Sequence, residues 1–125
     1  MSAMSPVSPE AMATYRATAQ RRSEAEQQEL AQRRECARQV ARRAAAFLKE
    51  QFGATRVVVF GSLVHGYWFS RTSDIDLAAW GLQPDDYFVA VARLQDLSPE
   101  FRVDLVVAER CKPALHEAIL RGEAL

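Results

Sequence analysis

Three carboxylates and one Gly-Ser pair are the residues of this sequence best placed to do chemistry. Asp74 and Asp76 stand two apart in Ser73-Asp74-Ile75-Asp76-Leu77. Successive side chains of a strand point to opposite faces, so both carboxylates project from one face while Ile75 and Leu77 turn to the core. Two carboxylates side by side repel, and each pKa rises unless a cation neutralises the pair. Mg²⁺, a hard cation with oxygen ligands, is the simplest remedy, and its shell is usually completed by substrate phosphates and water. Asp104 repeats the arrangement in Arg102-Val103-Asp104-Leu105-Val106, where a charge in an apolar run needs a partner. If the two strands are neighbours, the three carboxylates converge. Such a cluster can hold two metal ions roughly 3.5 to 4 Å apart, clamping the attacking and leaving oxygens of an in-line displacement at phosphorus. Gly61-Ser62 complements it. A glycine after a strand lets the backbone approach a phosphate closely, and the following N–H groups and the Ser62 hydroxyl can donate to it.

Other readings of these residues fail on the sequence itself. A calcium loop starting at Asp74 would need Gly at its sixth position and Glu at its twelfth, where Ala79 and Asp85 stand. A Walker-type loop starting at Gly61 would need Lys and then Ser or Thr where Tyr67 and Trp68 stand. His65 and His116 share no ligand spacing, although His65 is near enough to the Gly-Ser pair to contact a phosphate. The aromatic run Tyr67-Trp68-Phe69 reads as core, with cover for a nucleotide base or a partner as the other reading.

The elements that must position these residues follow from period and punctuation. Arg56 to Phe60 is β-branched and apolar and runs into Gly61-Ser62, a strand entering a turn and a short helix. Ile75 to Trp80 is a second strand. Pro84, Asp85 and Asp86 open a helix reaching about Leu97, because proline suits the first helical position and carboxylates favour the positive end of the dipole. Phe101 to Val107 is a third strand, and Pro113 opens a last helix that stops near Gly122.

Residues 10 to 52 carry no internal Gly or Pro and read as one long N-terminal helix. Leu30, Ala37, Val40, Ala41, Ala44, Phe47 and Leu48 form its apolar face, with Arg33, Arg34, Arg38, Arg42 and Arg43 largely elsewhere. That Arg-rich face reads as solvated. The stretch around Arg21 to Gln28 has almost no apolar face, which suits a solvated helix, a frayed one or a surface that docks a partner; whether the protein forms a homo-oligomer is left open. Gly53 ends the helix. Residues 1 to 9, with Pro6, Pro9 and three Ser, read as a disordered lead-in. The expectation is a small α/β (α+β) domain over residues 53–125 preceded by a long helix.

The chain has 125 residues, 49% of them apolar or aromatic, enough for one domain with an ordinary core. Sixteen basic residues balance sixteen acidic ones, so net charge gives no reason to expect nucleic-acid or membrane binding. The halves differ: nine basic and six acidic residues up to residue 50 (net +3), seven and ten after it (net −3). An acidic surface that binds a triphosphate must be supplied with cations. Cys36 and Cys111 fit no disulfide framework or metal pattern and read as reduced thiols. With no export signal or long apolar run, the reading is a soluble, cytoplasmic protein.

Gly61-Ser62, eleven residues, then Asp74-Ile75-Asp76-Leu77, with Asp104 in a later apolar strand, resembles the DNA polymerase β-like nucleotidyltransferase superfamily. Phe60-Gly61-Ser62-Leu63-Val64-His65-Gly66 and the ending Ile119-Leu120-Arg121-Gly122-Glu123-Ala124-Leu125 are similar to its minimal nucleotidyltransferases. The resemblance covers roughly Val57 to Leu125. It implies a mixed sheet packed by helices, Asp74 and Asp76 as ligands of two Mg²⁺ ions, and Asp104 completing the site and helping the nucleophile. It also implies that Gly61 and Ser62 hold the triphosphate of ATP. Many minimal nucleotidyltransferases are antitoxins that transfer AMP to a tyrosine of a HEPN-type RNase toxin, so such a toxin is the partner implied. Relatives often carry Arg soon after the Gly-Ser pair. Here Leu63, Val64 and His65 occupy that stretch and the nearest Arg is Arg71. Either Arg71 contacts the phosphates, or the protein acts mainly by binding its partner. Transfer to a small molecule such as an aminoglycoside is a further alternative.

Overall fold

The computed structural model describes residues 8–125, the side chain of Tyr67 excepted. Helix α1 (Pro9–Phe52) runs for 44 residues, about 66 Å at 1.5 Å per residue. Ser8 caps it, its Oγ accepting from the Ala11 N–H at 3.1 Å, and Pro9 takes the first helical position. Those two residues therefore belong to the helix start and not to the expected lead-in, whose other residues, 1–7, lie outside the described ones. Gly53, at φ 70°, terminates α1 in the left-handed conformation. Only the second half packs: Ala37, Val40, Ala41, Ala44, Ala45 and Leu48 are buried, with Leu30 and Phe47 partly so. Residues 9–29 are exposed apart from Thr18.

Four strands form one mixed sheet in the order β3-β2-β1-β4. Strand β1 (Arg56–Phe60) runs antiparallel to β2 (Ile75–Trp80), and both start and stop where the apolar runs do. Two tight turns, Gly61–Leu63 and Gly66–Trp68, stand in place of the short helix expected between them. The helix expected from Pro84 to Leu97 divides into a tight turn, Pro84–Asp86, and α2 (Tyr87–Gln95). That helix carries the chain across so that β3 (Val103–Val107) lies parallel to β2. Phe101, expected within the third strand, precedes it and is buried under the Arg33 guanidinium, 4.4 Å from the ring centre.

Helix α3 (Pro113–Leu120) leads to β4 (Glu123–Ala124), which pairs antiparallel with β1. Two residues are too few to leave a period in the sequence, so β4 is specified by its tertiary partners. Arg38 of α1 holds it, 3.0 Å from the Glu123 carboxylate, and that hydrogen bond keeps the Glu123 carboxyl below its usual range.

Alternation divides the sheet into unequal faces. Val57, Val59, Ile75, Leu77, Ala79, Val103 and Leu105 pack toward α1 and α2 in the main core. Val58, Phe60 and Ala78 face the other way, where Ala108 and Ile119 complete a core of five buried residues. The second face is thinly covered. Strand β3 lies at a sheet edge, and α2 supplies partners for its free backbone groups. Gln95 donates from Nε2 to the Val103 carbonyl at 2.6 Å and accepts from the Val103 N–H at 3.2 Å. The Tyr87 hydroxyl donates to the Leu105 carbonyl at 2.8 Å. Replacing Gln95 with Leu strands both Val103 groups, so urea denaturation should read a loss of about 1–3 kcal/mol with little change in slope.

Candidate active site

Pairing between strands places two of the three carboxylates together. Asp76 of β2 and Asp104 of β3 are direct partners in the parallel register, and Phe60 of β1 is the partner of Asp76 on the other side. All three positions lie on the thinly covered face, since the neighbours Ile75, Leu77, Val103 and Leu105 point into the main core. Asp74 immediately precedes β2 and acts electrostatically on Asp76.

The resulting field is visible in the Asp76 carboxyl, pushed up from 3.8 to about 6. Burial is the largest cause, followed by the negative charges of Asp104 and then Asp74. Arg102, the residue before β3, stands 3.2 Å from Asp104 and partly offsets that charge. Both members of that pair are substantially exposed, so the offset is small. Arg102 was not among the expected site residues, although continuing the period of two back from Asp104 sets it on the same side.

Gly61 closes the site from the β1 side. Its φ is 79°, and a Cβ built there would stand 2.5 Å from Asp76 Oδ2. The backbone thus runs directly against the carboxylate, a close approach that only glycine permits. Ser62 follows in the same turn, half-buried, and Leu63 anchors the turn in the core. The Gly-Ser pair and the carboxylates therefore meet at one end of β1 and β2.

Arg71 is placed differently. Its guanidinium turns to α1 and pairs with Glu29 at 3.4 Å, both side chains well exposed. The stretch after Gly-Ser holds another arginine, supplied by α1. Arg34 donates from Nε to the Leu63 carbonyl and from Nη2 to the Val64 carbonyl, each at 2.9 Å. Nothing in the local sequence signals this contact, because the partners lie 29 and 30 residues apart. His65 and Trp68 contact each other edge to face at 5.5 Å, Trp68 remains exposed, and Phe69 enters the core.

Among the described residues, no three His, Cys, Asp or Glu side chains form a ready-made cation cage. The donors nevertheless suit a hard divalent ion. They are carboxylate oxygens, and the charge of Asp76 is disfavoured by both neighbours, which is the condition a cation relieves. Mg²⁺ is commonly bound through one or two carboxylates plus substrate phosphates and water, without a closed protein shell.

Comparison with known proteins adds to this geometry. The family described as "Polymerase beta, Nucleotidyltransferase" matches residues 43–125, leaving most of α1 outside the match. A solved structure provisionally described as a minimal nucleotidyltransferase is 32% identical, covering 78% of this chain and 92% of its own, with a TM-score of 0.45. No curated protein matches the chain.

Proposed function

The chain belongs to the polymerase β nucleotidyltransferase family, and from that premise we propose a Mg²⁺-dependent enzyme that transfers AMP from ATP to a tyrosine hydroxyl of a HEPN-type RNase toxin, thereby acting as an antitoxin. The observation that carries the reading is Asp76 held between Asp104 and Asp74, with Gly61 against its oxygen. Bound at these carboxylates, Mg²⁺ would neutralise their charge and polarise the triphosphate.

In the transfer, the acceptor oxygen attacks the α-phosphorus. The bond from that phosphorus to the bridging oxygen breaks, and pyrophosphate leaves with the electron pair. Asp104, whose side chain is 41% exposed, would take the hydroxyl proton. Gly61 and Ser62 present backbone N–H groups and a hydroxyl to the phosphates. The small core on this face and the exposure of Asp104 support an acceptor brought by another protein. Among the described residues, no helix is long and apolar enough to cross a membrane.

The test is incubation with α-labelled ATP, Mg²⁺ and the product of the adjacent gene, which this reading expects to be a HEPN-type toxin. Label should enter that protein and be lost with Asp74→Asn or Asp76→Asn. Neutralisation of the toxin that survives both substitutions would instead assign the protein as a stoichiometric binding module.

A further inference from the structure

We infer that Arg34 is the positioning residue of the nucleotide-binding turn, supplied from the part of α1 that precedes the family match. This rests on the nucleotide reading of Gly61-Ser62 and extends it to a residue far away in sequence. The tight turn Gly61–Leu63 closes on itself where the Val64 and His65 N–H groups donate to the Gly61 carbonyl at 3.2 and 3.3 Å. The Leu63 and Val64 carbonyls accept from Arg34 instead. One guanidinium takes both at 2.9 Å, and its planar fork makes the two bonds with one side chain already oriented.

A second observation supports the same contact. A Cβ at Gly66 would stand 2.6 Å from Arg34 Nη1 and 2.7 Å from its Cζ, so the absence of a side chain at residue 66 makes room for the guanidinium. Gly66 is not one of the positive-φ glycines, so close approach is the requirement at this position. Three carbons and a guanidinium thus tie α1 to the far end of the turn that begins with Gly61 and Ser62. Leu63, buried at its centre, fixes the turn to the core, and Arg34 fixes its exit. The expected consequence is preorganisation: without the fork, the turn must be ordered by the nucleotide at the expense of affinity.

Lysine cannot reproduce the fork, since its ammonium is a point charge. Alanine at residue 66 would leave Arg34 in the chain but push its guanidinium aside. The experiment uses the full chain and measures two quantities for wild type, Arg34→Lys, Arg34→Met, Gly66→Ala and the control Arg42→Met: Mg·ATP affinity by titration calorimetry, and hydrogen exchange of residues 61–66 without nucleotide. Arg34→Met and Gly66→Ala should weaken Mg·ATP binding about tenfold, with Arg34→Lys between them and wild type. Exchange over residues 61–66 should rise in the same order while β2 and β3 stay protected. Arg42→Met should change neither quantity.

Unchanged affinity in Arg34→Met and Gly66→Ala, with wild type binding normally, overturns the positioning role alone. Faster exchange throughout the domain overturns it in favour of a general packing role. Failure of wild type to bind Mg·ATP overturns the nucleotide reading and this inference with it.

Discussion

Asp76→Asn is expected to make the protein more stable at pH 8 while removing its transfer activity. The Asp76 carboxyl ionises near pH 6 in the fold against 3.8 as its ordinary value, chiefly through burial and then through Asp104 and Asp74. Below pH 3.8 both folded and unfolded chains hold the proton, and the residue has no differential effect. As pH rises toward 6 the unfolded chain releases its proton first, so the folded state binds more protons and stability falls with pH. Above about pH 6 the full penalty is present. A shift of this size corresponds to ~3 kcal/mol, which partial exposure reduces to about 1–2 kcal/mol. The amide keeps the shape and removes the charge. Melting of the metal-free protein should therefore show the variant more stable at pH 8, with the difference shrinking to nothing near pH 4. Transfer should fall about a thousandfold, the scale of losing several kcal/mol of charge stabilisation at a metal site.

Gly61→Ala is expected to damage fold and site together. A residue with a Cβ at φ 79° carries a conformational cost of about 1–2 kcal/mol. The new methyl must in addition displace Asp76 Oδ2, which it would otherwise meet at 2.5 Å. Gly53→Ala separates the two effects, because Gly53 has a similar φ of 70° and nothing within 4 Å of a built Cβ. Chemical denaturation should show Gly53→Ala costing about 1 kcal/mol and Gly61→Ala about 2 kcal/mol or more, and only the latter should impair Mg²⁺ binding. Equal costs and equal metal binding would mean that Asp76 moves aside freely.

The sequence was most readable where a short period met a long apolar run. β1 and β2 have the bounds that Arg56–Phe60 and Ile75–Trp80 suggest, and Ile75 and Leu77 face the core as alternation requires. The register that sets Asp76 beside Asp104 was visible only as a condition, because α2 and its crossover decide which residues become neighbours. Long-range side-chain contacts were not readable at all. Arg33, Arg34 and Arg38 resemble Arg42 and Arg43 in the helical pattern, yet one stacks on Phe101, one holds the turn after Gly-Ser, and one pairs with Glu123. An arginine's long stem lets it leave a solvated stripe for a distant carbonyl, and helix periodicity records only where the stem begins.

If Asp74, Asp76 and Asp104 form a cation and nucleotide site, a divalent ion relieves the repulsion among them. Thermal unfolding of wild type and Asp76→Asn at pH 8, each with and without Mg²⁺ and ATP, tests it most directly, since a ligand that binds only the folded state raises the melting temperature. The melting temperature should rise for wild type and hardly at all for the variant, which has already lost both the repulsion and the ligand. An equal rise in the two proteins, or none in wild type, would contradict it.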